Sequence, residues 1–172
     1  MIYQNVEIVE VLCMKSITYG EVTMRQIVEI ISDKVKNNPN NYSVIIGTDS
    51  QNFDKTKIVL VIAVLEESKG GFFFYEVTNV NRISNIKQKL YKETEISLEC
   101  ASELMEEFDK YNEETGFDYT QLHFCIHVDA GFNGPTKEVI PEIVGWVKSC
   151  GYDVYVKPES FVASSIADKL SK

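Results

Sequence analysis

The amino-acid sequence predicts an α/β fold: a mixed five-stranded sheet with helices on both faces, in the order β-β-β-α-β-α-β-α, preceded by a short helical extension. Three observations predict it. Between residues 43 and 80, three runs rich in β-branched and aromatic residues are joined by connections too short to hold a crossover helix. After Val80 the apolar period becomes that of a helix and stays so over 84–111 without glycine or proline. Two further strand-then-helix units then follow, each bounded by turn residues.

Residues 1–42 read as the extension. Thr23 followed by Gln26 fits a capping box, and Met24, Ile27, Ile31 and Val35 recur at helical spacing, so a helix of about three turns is expected. Asn37-Asn38-Pro39-Asn40-Asn41 breaks it and marks the boundary with a single domain over 43–172. SVIIGTD is the first strand of that domain and ends at Asp49. KIVLVIAVL over 57–65 is apolar on both faces and therefore central, and GFFFYEVTNV over 71–80 is the third strand. Short connections make these an antiparallel meander.

Leu90, Thr94, Leu98, Ala101, Met105 and Phe108 share one broad face of the long helix, which stops before Thr115-Gly116. LHFCIHVD over 122–129 is then a fourth strand, parallel to an earlier one because a helix precedes it. GFNGP leads into a helical segment with Val139, Ile143, Val144 and Val147, closed by Gly151. Pro141 requires that helix either to begin near Ile140 or to kink. YDVYV over 152–156 is the fifth strand, and residues 159–170 form a last helix packed through Phe161, Val162, Ile166 and Leu170.

A chain of 172 residues buries a substantial core, and 44% apolar with 25% charged residues excludes disorder. The longest apolar run, 58–65, is too short to span a bilayer, and MIYQNVEIVE carries acids where a signal peptide carries a basic region. A soluble cytoplasmic protein is expected. Cys13, Cys100, Cys125 and Cys150 show no zinc or disulfide spacing and are expected to be buried thiols. A net charge of -9 opposes broad adhesion to nucleic acid, although cations held by acids reverse the local charge. Arg82, Lys87, Lys89 and Lys92 fall in one stretch, which by itself reads as a solvated helix face. No GxxxxGK[ST], GxGxxG or GxSxG is present.

If the first and fourth strands of the domain are parallel neighbours, their carboxyl ends share one sheet edge, and Asp49 and Asp129 lie about 5 Å apart. Two unpaired carboxylates at that separation repel each other unless a cation is present. Magnesium suits such oxygens, manganese can substitute, and two ions together can stabilise the attacking and leaving oxygens of phosphodiester hydrolysis. Each acid alone has a plainer explanation: Asp-Ser at a strand end initiates turns, and a glutamate in a helix or an aspartate near a terminus is ordinarily solvated. Only their joint placement points to a site. His127 shares its strand face with Asp129, but a hydrogen-bonded structural histidine is the reading favoured for it and for His123. Gly131 and Gly134 either offer backbone N–H groups to a phosphate or simply form a loop.

Four segments in order, IGTDSQ, ETEISLECA, HVDAGFNG and SFVASSIADK, resemble the YkuK-type bacterial family of the ribonuclease H-like fold. The element order over 43–172 resembles that fold as well. The resemblance implies that Asp49 is the first-strand acid bridging the ions, that Asp129 is the fourth-strand acid, and that Asp168 comes from the terminal helix. A glutamate of the first helix completes the set. Glu93, Glu95 and Glu99 compete for that place; Glu95 lies nearest the margin of the apolar stripe, and Glu99 points further toward solvent. Two Mg²⁺ or Mn²⁺ ions are implied, and with them a nuclease acting on RNA, RNA-DNA hybrid or structured DNA. Two rival readings are a non-catalytic module binding nucleic acid or protein, which the acidic surface favours, and a small-molecule phosphatase or nucleotide hydrolase. The fold alone does not choose among them.

Overall fold

The computed structural model describes residues 13–170, which open with an antiparallel hairpin of β1 (Cys13–Ser16) and β2 (Gly20–Thr23). Thr23 ends the hairpin and caps α1 (Met24–Val35). Its side chain accepts from the Gln26 N–H, and the Gln26 side chain accepts from the Thr23 N–H, which is the expected capping box. The remainder of the 1–42 extension, residues 1–12, lies outside the described residues.

Next come β3 (Tyr42–Asn52), β4 (Thr56–Glu66) and β5 (Gly70–Val80), paired as an antiparallel meander as the short connections predict. Asn85 caps α2 (Ile86–Thr115) by accepting from the Lys87 and Gln88 N–H groups, and Gly116 ends it at φ 74°, a left-handed conformation that favours glycine. β6 (His123–Val128) runs parallel to β3. α3 (Ile140–Ser149) starts at Ile140, with Pro141 in the first turn, where its missing N–H leaves no intrahelical bond unmade. β7 (Asp153–Tyr155) and α4 (Val162–Leu170) complete the described chain.

The strands form one sheet in the order β2-β1-β5-β4-β3-β6-β7, so it has seven strands rather than the five expected. The additional pair, β1 and β2, has four residues per strand, too few for an alternating pattern to stand out in a sequence. The five expected strands form the rest of the sheet.

Helices α1, α2 and α3 cover one face. Ile27, Ile31, Ile46, Ile62, Leu104 and Ile143 belong to the core beneath them, which also takes in Met14 and Val22 of the hairpin. Helix α4 covers the other face through Val162, Ile166 and Ala167, against Ile45, Val59 and Val61. Phe108 is fully buried, with the rings of Tyr119 and Phe124 at 5.1 and 5.6 Å. Phe108→Ala is expected to cost about 3–5 kcal/mol, read as a lower urea midpoint at unchanged slope.

Cys100 and Cys125 are buried as expected, but Cys13 and Cys150 are exposed, and all four are free thiols. Cys150 follows the last turn of α3 and Cys13 begins an edge hairpin, positions at which the chain is only partly covered. Among the described residues no helix is long and apolar enough to cross a membrane.

Candidate active site

The parallel register of β3 and β6 runs from Ser43↔His123 to Thr48↔Val128. The next residue on each chain is an aspartate, Asp49 or Asp129, so both stand at the same carboxyl edge of the sheet. β6 ends at Val128, and the Ala130 N–H donates to Val128 O at 2.8 Å, turning the chain directly at Asp129. Asp49 and Asp129 line a cavity of about 530 Å³ together with Glu93 of α2, Lys89, Lys157 and the loop 131–136.

Glu93 is only 8% exposed, and the Ser50 hydroxyl donates to its Oε1. The Ser50 N–H donates to Asp49 Oδ1 at 2.9 Å, so one residue of β3 touches both acids. One turn along α2, Ser97 and Thr48 share a 2.7 Å hydroxyl hydrogen bond inside the core. That bond and the Ser50–Glu93 bond fix the rotation of α2 relative to β3, and with it the direction of Glu93.

Burial, with neighbouring negative charge added to it, moves Asp49 and Glu93 out of their ordinary range. Burial, reinforced by the negative charge of Asp129, pushes the Asp49 carboxyl up to about 6. Burial pushes Glu93 up to about 8; the Ser50 hydroxyl opposes the shift, and the charges of Asp49 and Asp129 add to it. Lys89 lowers both, and its Nζ donates to Ser50 O at 3.3 Å. Lys157 Nζ stands 2.9 Å from Asp129 Oδ1. The pair is at ion-pair distance without an aligned hydrogen bond, which leaves that solvent-excluded oxygen with no donor pointed at it.

Of the four acids predicted from the sequence, the structure brings Asp49 and Asp129 together and leaves the other two elsewhere. Glu95 is on the outer side of α2, 45% exposed and paired with Lys92 at 2.6 Å. Glu93, two residues earlier, has the inward position, and Glu99 is exposed as expected. Asp168 is exposed on α4, the helix that covers the opposite face of the sheet, and it does not line the cavity. His127 is buried, accepts from the Phe161 N–H at 3.4 Å and packs edge-on against Tyr155 and Phe161. Burial lowers its pKa to about 4 and keeps it neutral, the structural role expected. His123 bonds Asp153 at 2.8 Å. Lys87 and Lys92 form surface pairs with Glu138 and Glu95, as a solvated face would, whereas Lys89 reaches the cavity.

Ser50 and Lys157 line the cavity without having been singled out from the sequence, Lys89 was read as part of a solvated face, and Glu93 was one of three competing helix glutamates, with Glu95 preferred. A signal for Glu93 was present. Leu90, Glu93, Ser97, Cys100 and Leu104 form one helical row at spacings of three and four, all of them buried, beside the apolar stripe chosen for the wheel. Lys157 follows a three-residue strand in a loop and had no such signal.

The donor set suits a hard cation: oxygens only, two carboxyls raised by burial and mutual charge, and one buried carboxylate oxygen without an aligned donor. Among the described residues, no group of three or more His, Cys, Asp or Glu side chains is placed to hold a metal ion. Magnesium does not require such a group, because it typically binds through one or two carboxylates and keeps several waters.

A family model described as ribonuclease H-like matches residues 24–172. The uncharacterized protein YkuK of Bacillus subtilis (strain 168) is 30% identical over 165 residues, which cover 91% of this chain and 95% of that protein. A solved structure of the Mos1 transposase catalytic domain and raltegravir with Mg aligns with 87% of this chain and 71% of its own, at 12% identity and a TM-score of 0.29.

Proposed function

The chain belongs to the ribonuclease H-like family, and on that premise we propose that it hydrolyses phosphodiester bonds in RNA, RNA-DNA hybrid or structured DNA with a bound divalent cation. The observation that carries this reading is the meeting of Asp49, Glu93 and Asp129, from three separate elements, in one cavity at the carboxyl edge of the sheet. Asp49 and Asp129 would hold the cation, with Glu93 beside them. When bound, Mg²⁺ or Mn²⁺ supplies Lewis acidity, which makes water a stronger nucleophile and offsets charge on the phosphate oxygens.

The protein's own groups have separate tasks. Ser50 orients Asp49 through its N–H and Glu93 through its hydroxyl. Glu93, raised to about 8, is protonated over much of the neutral range and can exchange a proton with water in the cavity. Phe132 is 58% exposed on the cavity rim, a flat apolar face on which a nucleobase can stack. That feature favours a nucleic acid over a small phosphoester.

The Lys157–Asp129 ion pair favours a second reading, a non-catalytic binding module in which lysine has taken the place of the cation. Incubation with labelled single-stranded RNA, hybrid, duplex DNA and junction substrates in Mn²⁺ separates the two. Cleavage of at least one substrate is expected, lost in Glu93→Gln and kept in Glu95→Gln. Binding without cleavage of any substrate would leave the module reading.

A further inference from the structure

Lys157 is placed by backbone contacts that its ion pair does not require. Its N–H donates to Ala130 O at 2.8 Å, and the Ser160 hydroxyl donates to Val128 O at 2.7 Å, so the loop after β7 is tied to the chain on both sides of Asp129. A Cβ at position 131 would come within 3.0 Å of the Lys157 Cβ, so glycine at 131 is what allows the two loops to approach. The Lys157 side chain nevertheless remains 52% exposed, against 17% for Asp129. An ammonium that open to water adds little stability through one ion pair. It does remain accessible to a ligand entering the cavity.

The lining of the site also limits how many cations it takes. Among the described residues, Asp49, Glu93 and Asp129 are the carboxylates that line the cavity, and the ammonium groups of Lys89 and Lys157 line it with them. Asp49 and Asp129 would hold one divalent cation. A second would find no further carboxylate, because Asp168 lies elsewhere, and would stand beside two ammonium groups.

We propose that the site takes one divalent cation and that the Lys157 ammonium binds the substrate phosphate in the position where a second cation would otherwise stand. This rests on the hydrolase reading above. In the cation-free protein the same ammonium rests against Asp129, and it turns to the phosphodiester when cation and substrate enter. Lys157 is then a substrate-binding residue, and it competes with the cation for Asp129 in the absence of substrate.

Mn²⁺ titration by calorimetry, together with cleavage of whichever substrate of the panel the wild type cuts best, tests this in the full chain. One Mn²⁺ per chain is expected for the wild type. Lys157→Met is expected to bind Mn²⁺ about tenfold more tightly, because the competing charge is gone, and to cleave about a hundredfold more slowly with a raised KM. Lys157→Arg should recover part of the cleavage, since guanidinium also binds phosphate. Lys157→Gln, whose amide can donate to Asp129, serves if the methionine variant melts early. Two Mn²⁺ per wild-type chain, or unchanged cleavage in folded Lys157→Met, overturns the proposal while leaving the hydrolase reading intact. A wild type that binds no Mn²⁺ and cuts nothing removes both.

Discussion

Asp49→Asn is expected to lose Mn²⁺ binding and to lower cleavage at least ~100-fold, since changes even one contact removed from a metal commonly cost 10–100-fold in affinity or activity. The same substitution is expected to make the cation-free protein more stable. Asp49 is pushed up to about 6 by burial and by Asp129, so at neutral pH the folded chain holds a carboxylate it would rather protonate. Asparagine keeps the size and keeps an oxygen for the Ser50 N–H, which now donates to Asp49 Oδ1. Discounted for partial exposure, the gain is ~1–2 kcal/mol. Thermal melts in chelator at pH 7 and calorimetry with Mn²⁺ read the two effects. The opposite signs matter, because a residue whose role is structural would lower the melting temperature when replaced. An Asp49→Asn protein that melts earlier yet binds Mn²⁺ normally would sink the assignment.

In the cation-free protein, stability is expected to fall as pH rises from about 4.5 to about 8, the reverse of ordinary carboxylate behaviour. Glu93, ordinarily near 4.5, is pushed up to about 8 in the fold. Between those values the folded state binds more protons than the unfolded state, so unfolding free energy declines with pH. The contribution of Glu93 is fully present below about 4.5 and is lost as pH passes through about 8; Asp49 adds a smaller loss between 3.8 and about 6. Together they are worth on the order of 6 kcal/mol, about 5 from Glu93 and about 1–2 from the partly exposed Asp49. Glu93→Gln should flatten most of that slope and be more stable than the wild type at pH 8.5. Added Mn²⁺ should reverse the trend, because cation binding favours the ionised carboxylates and strengthens as they deprotonate. Urea unfolding at a series of pH values, with and without Mn²⁺, measures both. A profile that rises across this window in chelator would mean that Glu93 is ionised and solvated, contrary to its burial.

Elements with enough residues to display a period were legible in the sequence. The meander of β3, β4 and β5, the long helix α2, the parallel return of β6 and the capping box at Thr23 all follow from spacing and turn chemistry. The hairpin of β1 and β2 was not, since four residues alternate too briefly to be distinguished from a loop. At the site, Asp49 and Asp129 were legible because each follows the last residue of the parallel β3–β6 register, although β3 does not end at Asp49 as expected but continues to Asn52 in its pairing with β4. The helical acid depended on the helix's rotation to within one residue, about 100°. Apolar residues alone put the centre of the buried face too close to Leu90, Thr94 and Leu98. Glu93 and Ser97 are buried because β3 offers them Ser50 and Thr48, a match between polar partners that a wheel drawn for one helix does not contain. Asp168 was assigned by likeness of motif, and no spacing rule indicates on which side of a sheet a terminal helix will pack.

Helix α2 has 30 residues, a rod of about 45 Å with Glu93 near one end. Near its other end Arg25 of α1 meets Glu107 at 3.6 Å and Glu114 at 2.5 Å, and its guanidinium lies 4.8 Å from the centre of the Tyr111 ring. A rigid rod gripped at both ends can neither spin nor slide at one end alone. The azimuth of the carboxylate that faces the cavity is therefore registered against a residue about 30 Å away, on a helix that shares no surface with the chemistry.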